Sequence, residues 1–230
     1  MWAVQTVRRE WDEDEFFHSG VETINWVFDE ARRAGVERLP VPGTPNRVLD
    51  FGCGVGRLSL ALAGAFARVE GIDISESMVR NARARAAKRL GPDQERVGYQ
   101  VNDAADLVLF ADGDFGLVLS LICLQHMRQV FAKRYIAEFC RVTSPGGIIF
   151  FQLPTRRTTA MLRLRGTVGR SARRIGGRMK REAVMEMHGT SRCDVERILD
   201  RCGVDVIGVR TNDLAPSWES LTYVGRKRGR

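Results

Sequence analysis

Three glycines in five positions break an apolar run. Arg47-Val48-Leu49-Asp50-Phe51 leads into Gly52-Cys53-Gly54-Val55-Gly56, and an alanine- and leucine-rich stretch follows from Leu58 to Phe66. A short strand, a turn poor in side chains and a helix in direct succession are the signature of a parallel strand handing over to a helix at a sheet edge. Glycine permits a tight turn and lets a ligand approach the main chain without meeting a Cβ. A dinucleotide fingerprint of the GxGxxG kind needs glycine at position 57, which is Arg57. The spacing is GxGxG with an acid two residues ahead, which argues against a pyrophosphate seat and against NAD.

The strand-and-helix alternation continues along the chain. Ala67–Ile72 reads as a second strand ending at Asp73, and Ser75 or Ser77 as the cap of a helix whose Met78, Val79, Ala82, Ala86 and Leu90 keep helical spacing. Val97–Val101 and Phe115–Leu119 read as strands and Arg128–Val142 as a helix. Ser144-Pro145-Gly146-Gly147 reads as a turn before a fifth strand, Ile148–Gln152. A helix at Ser191–Cys202 and strands at Val204–Arg210 and Leu221–Arg226 complete the pattern. Strands separated by helices of this length predict a mainly parallel sheet covered on both faces. A single domain is expected, with residues 1–40 as an N-terminal helical cap, 41–153 as the binding core, 154–190 as a basic insertion and 191–230 as the last helix and two strands. Within the cap, Gly20 reads as an interruption, and Gly35 with Pro40, Pro42 and Gly43 as the end.

Charge sharpens the view of the insertion. The net charge is +8, from 36 basic and 28 acidic residues among 230. Ten Lys and Arg and no acid fall between Arg156 and Arg181, and four more basic residues fall in the tail 226–230. Without these fourteen, 22 basic residues face 28 acidic ones, so the body of the protein is mildly acidic. The 156–181 segment reads as an amphipathic basic lid for an anionic membrane surface or an acidic substrate, or as a solvated arm. Nucleic acid is the least favoured partner, because no aromatic side chain in that segment offers a stacking platform. No apolar run approaches the roughly 20 residues of a membrane span, and no secretory signal opens the chain, so a cytoplasmic protein is expected. The five cysteines form no CxxC pair, and the three histidines lie far apart in sequence, so neither a disulfide framework nor a metal site is expected.

The segment DFGCGVG resembles motif I of the class I S-adenosylmethionine-dependent methyltransferases, small-molecule type. The likeness runs from about Arg47 to Gln152 and more loosely to Arg226. It implies an α/β fold, a Rossmann-like three-layer sandwich with a mostly parallel seven-stranded sheet and an antiparallel last strand. It also implies S-adenosyl-L-methionine as the cofactor. The loop would hold it through Asp50, Gly52, Cys53 and Gly54, although Asp50 also reads as a helix cap. Asp73, 17 residues beyond Gly56, resembles the acid that accepts the ribose hydroxyls, with Ile74 and Met78 beside it. Asn102-Asp103-Ala104 resembles the adenine-binding turn, and Ser120 and Leu121 open the segment that faces the sulfonium methyl. The family usually has aspartate after the phenylalanine of the fourth strand. This chain has Gly116, with little expected effect on activity.

His126, just past the fourth strand, is the candidate catalytic base, with packing on the cofactor or capping of the next helix as the other reading. Gln125, His188 and His18 are candidates for the substrate pocket, and no metal ligands are expected. The resemblance and His126 together imply O-methylation of a hydroxyl on a small-molecule acceptor such as a sugar or secondary metabolite. The alternatives are an N-methyltransferase, an RNA or lipid methyltransferase, and a non-catalytic module that binds S-adenosylmethionine.

Overall fold

The computed structural model describes residues 12–157, 186–212 and 218–229. Seven strands form one sheet in the order β3-β2-β1-β4-β5-β7-β6. In chain order they are β1 Arg47–Phe51, β2 Arg68–Asp73, β3 Val97–Val101, β4 Phe115–Ser120, β5 Thr143–Arg157, β6 Val204–Asn212 and β7 Trp218–Lys227. β1 pairs in parallel with β2 and β4, and β7 runs antiparallel to both β5 and β6. The architecture is the seven-stranded Rossmann-like sandwich expected, with its last strand antiparallel.

Alternation along the strands sends side chains to two cores. Val48, Leu117, Leu119 and Phe150 face one cluster with Ile24, Val27, Leu62, Val79 and Ala82. These helical residues belong to α1 (Glu13–Arg33), α2 (Arg57–Leu62) and α3 (Glu76–Leu90), which cover that face. Leu49, Phe51, Val118 and Phe151 face the second cluster with Ile136, Phe139, Val195 and Leu199. Its helices are α4 (Gln129–Val142) and α5 (Arg192–Arg201). Phe139 is fully buried and packs edge-on against Phe51 at 5.0 Å between ring centres. Truncating a side chain of this kind to alanine costs about 3–5 kcal/mol.

Three expectations are corrected. Gly20 does not interrupt the cap, because α1 is continuous across it. A Cβ at Gly20 would lie 2.5 Å from the Arg57 carbonyl oxygen, so glycine is there for close helix approach. Residues 144–147 are not a turn before β5 but an irregularity inside it, where pairing shifts from Phe115–Thr143 to Leu117–Ile148. The helix expected to Phe66 ends at Leu62, and Phe66 instead packs in the core beside it. Trp11 and most of the basic 156–181 segment lie outside the described residues.

Gly116 has a steric reason. A Cβ there would stand 2.2 Å from the Pro45 carbonyl oxygen and 2.7 Å from Thr44 Oγ1, so the segment before β1 occupies the space of a side chain. Among the described residues no helix is long and apolar enough to cross a membrane.

Candidate functional site

The chain turns back at β1. From there β2 and β3 run to one side and β4 and β5 to the other, which leaves a crevice beyond the carboxyl ends of β1 and β4. Ligands of open α/β sheets bind at such switch points. A cavity of about 590 Å³ opens there, within the range of small-ligand sites.

The loop after β1 is built by its glycines. Gly52, Gly54 and Gly56 all have left-handed φ values, of 79°, 54° and 85°. The amides of Gly52 and Cys53 both donate to the Ile72 carbonyl at 2.9 Å, which pins the loop to the end of β2. A Cβ on Gly52 would collide with Cys123 Sγ at 2.4 Å, and one on Gly56 with the Tyr99 hydroxyl at 2.4 Å. Both clashes, added to backbone strain, exclude other residues.

Asp73 is held from two sides. Its Oδ2 accepts from the Gly54 amide and its Oδ1 from the Ser75 amide, each at 2.9 Å. A carboxylate has about four acceptor sites, so lone pairs stay available to ligand hydroxyls. The turn after β3 is braced in the same manner. Asn102 Nδ2 donates to the Asp106 carbonyl at 3.0 Å, and the Tyr135 hydroxyl donates to the Ala104 carbonyl.

Of the expected cofactor residues, Gly52, Cys53, Gly54, Asp73, Ile74, Met78, Asn102, Asp103, Ala104 and Leu121 line the cavity. Asp50 and Ser120 do not. Asp50 is buried and accepts from Ser59 Oγ at 2.6 Å, and burial pushes its carboxyl up to about 6 against that bond and the Arg57 charge. Ser120 is fully buried at the end of β4, and its hydroxyl has no hydrogen-bond partner among the described residues.

His126 lines the cavity from a short turn after β4. Its Nδ1 lies 3.3 Å from the Glu186 carbonyl and its Nε2 lies 3.2 Å from Gln125 Nε2. The His188 amide donates to the Gln125 carbonyl at 2.8 Å, so residues 186–188 are docked on this turn. Gln125 and His188 thus adjoin His126 without lining the cavity. His18 is elsewhere, on the exposed face of α1, 3.9 Å from Glu22.

Sequence reasoning missed Arg57, Arg128, Phe131 and Tyr135, all of which line the cavity, whereas Ile122 and Cys123, which also line it, belong to the 120–127 segment expected to face the sulfonium methyl. Tyr135 and Phe131 sit on α4, where their spacing signals only a helix face. Ile122 adopts φ 58°, an uncommon and strained state for a β-branched residue, and no sequence pattern announces it. Burial pushes the Cys123 thiol up to about 12 and raises that of Cys53 as well, so neither supplies a thiolate nucleophile at neutral pH. Among the described residues no group of three or more His, Cys, Asp or Glu is arranged to hold a metal ion.

Comparison with known proteins agrees with this geometry. A family model described as a methyltransferase domain matches residues 48–147. The malonyl-[acyl-carrier protein] O-methyltransferase of Methylococcus capsulatus is 34% identical over 149 residues, covering 64% of this chain and 50% of that protein. The ubiquinone biosynthesis O-methyltransferase of Thiobacillus denitrificans is 34% identical over 125 residues, covering 54% and 50%. The chain therefore spans about half the length of these curated relatives. Among solved structures, magnesium protoporphyrin IX methyltransferase from Synechocystis PCC 6803 with bound SAH aligns over 96% of this chain and 90% of that one. Its TM-score is 0.66 at 21% identity.

Proposed function

We propose that this chain, which belongs to the class I S-adenosylmethionine-dependent methyltransferases, transfers a methyl group to a hydroxyl on a small-molecule acceptor. The observation that carries the reading is the cavity at the β1–β4 switch point, floored by left-handed glycines and flanked by Asp73. Its donor set suits S-adenosyl-L-methionine. Asp73 keeps lone pairs for two ribose hydroxyls, the braced 102–105 turn offers Asp103 and main-chain groups to the adenine, and Gly52 and Gly54 leave room for the rest. Asp50 acts from behind the loop, through Ser59.

When bound, the cofactor supplies an electrophilic methyl carbon on a sulfonium. The protein's part is alignment and dryness. Leu121, Ile122, Met127 and Phe131 contribute apolar side chains to the cavity lining. Positioning of reacting groups is worth up to about 7–11 kcal/mol. His126 takes the acceptor proton. With Nδ1–H donating to the Glu186 carbonyl, the free lone pair is on Nε2, where Gln125 now stands. The acceptor hydroxyl displaces that amide. Gln125 and His188 then border the acceptor, and His18 contributes only if the exposed face of α1 meets it.

A second reading has one observation in its favour. Both His126 nitrogens are already engaged, and an amine acceptor needs a base less than a hydroxyl does. The test is transfer of isotope-labelled methyl from S-adenosylmethionine to panels of phenols, sugars and amines, with RNA and anionic vesicles as further arms. Label on hydroxyl acceptors is the expected result. Label confined to amines, RNA or lipid moves the function to that acceptor class. Binding without transfer to any arm leaves a non-catalytic module.

A further inference from the structure

Helix α4 carries three basic side chains, and each has a carboxylate partner. Lys133 meets Asp194 at 3.0 Å and Arg134 meets Asp106 at 3.0 Å, while Arg141 meets both Asp112 and Glu138 at 2.8 Å. Arg128, the residue that precedes the helix, differs from all three. Its side chain neither caps α4 nor forms a hydrogen bond or ion pair among the described residues, and it lines the cavity. An exposed arginine is ordinarily a solvated surface group. This one is set apart by where it stands.

The charges of the cavity are divided between its sides. Asp73 ends β2 and Asp103 follows β3, and the Arg57 guanidinium is turned to Ser19 and Thr23 of α1. The stretch from β4 into α4 contributes Leu121, Ile122, Met127, Phe131 and Tyr135 together with His126. Among the described residues of that stretch, Arg128 alone brings a fixed charge to the lining, and no acid accompanies it. Helical spacing sets Phe131 and Tyr135 on the face of α4 that continues from Arg128. Ligand pockets are mostly apolar, and a few polar groups fix the orientation of what they hold. A guanidinium presents a planar fork of donors that matches a carboxylate, and its single charge suits a monoanion. Partly enclosed, apolar surroundings strengthen such a pair relative to bulk water. We propose that Arg128 determines specificity by receiving a carboxylate of the acceptor, so that the substrates are hydroxy acids with an apolar or aromatic body. The carboxylate rests on Arg128 and the hydroxyl faces His126, two positions earlier in the chain. The inference rests on the cofactor and acceptor reading above, in which the donor fills the β1–β3 side.

Binding and methyl transfer on the full chain test this with matched probes. Coumarate and protocatechuate, each set against its own primary amide, are titrated into protein saturated with S-adenosylhomocysteine. The donor's own carboxylate is then common to every arm, and acid and amide differ chiefly in charge. Each acid is expected to bind about 10- to 100-fold more tightly than its amide and to accept labelled methyl from S-adenosylmethionine with a correspondingly lower KM. Arg128→Gln is expected to bring acid and amide within about twofold of each other, and Arg128→Lys to keep part of the preference. Arg128 is exposed and unpaired, so neither substitution removes a contact of the fold. Acid and amide treated alike by the parent protein, or a preference that survives Arg128→Gln, overturns the assignment, while binding of S-adenosylhomocysteine keeps the cofactor reading intact. Label recovered as a base-labile methyl ester overturns it as well, because the carboxylate is then the nucleophile and not the anchor. A folded parent protein that does not bind S-adenosylhomocysteine removes the cofactor reading and this inference together.

Discussion

The Gly54 amide lies 2.9 Å from Oδ2 of Asp73, and the Ser75 amide lies the same distance from Oδ1. The acid at the end of β2 is thus part of the glycine loop's scaffold as well as part of the cavity lining. Asp73→Asn isolates the first role. An amide side chain has one acceptor oxygen, so one of the two main-chain amides loses its partner whichever way the group turns. Stability should fall by about 1–3 kcal/mol in denaturant titration. An unchanged midpoint contradicts the scaffold role.

Asp50 predicts a pH dependence. Its carboxyl is pushed up to about 6 from 3.8 in the folded state, chiefly by burial. The neutral form is favoured, so its contribution is fully present below the unfolded value and is lost as pH rises through the folded one. Asp50→Asn is neutral throughout and still accepts from Ser59. Relative to the parent protein it should gain up to about 3 kcal/mol between pH 3.5 and 7.5, with a plateau above. A pH-independent difference between the two urea midpoints contradicts this.

Two glycines should resist replacement. Helix propensity alone makes Gly20→Ala stabilising by about 1 kcal/mol. A Cβ 2.5 Å from the Arg57 carbonyl reverses that sign, and the variant should melt earlier. Gly116→Ala meets the Pro45 carbonyl and should lose about 1–3 kcal/mol or more, by the same measurement. A higher melting temperature for either variant contradicts the contact described.

His126→Ala should lower turnover about 10²- to 10⁴-fold on a hydroxyl acceptor while leaving S-adenosylhomocysteine affinity nearly unchanged. Gln125→Ala should leave that affinity unchanged as well. Steady-state kinetics paired with calorimetry decide it. A full-rate His126→Ala enzyme removes the histidine as base.

Local features were legible in the sequence. The glycine loop and Asp73 stand next to strand ends, where spacing alone places them, and apolar alternation is enough to order the helices and strands. Features made by distant segments were not. Gly20 looks like a helix breaker until Arg57 lies against it, 37 positions away in the chain. Residues 144–147 carry turn chemistry but are absorbed into β5 by its pairing with β4. Arg57 entered the sequence argument only as the residue that spoils a dinucleotide fingerprint. Its burial against Ser19 and Thr23 exists only once α1 has packed. Asp50 reads as a ligand contact by position, whereas folding turns it toward Ser59.

The most direct test is titration calorimetry of the folded chain with S-adenosylhomocysteine, run in parallel on Asp73→Ala. The parent protein should bind one equivalent, and the variant should bind about 10-fold or more weakly, in keeping with loss of charged hydrogen bonds. Absence of binding to the well-folded parent, or equal affinity in the two proteins, contradicts the cofactor site described.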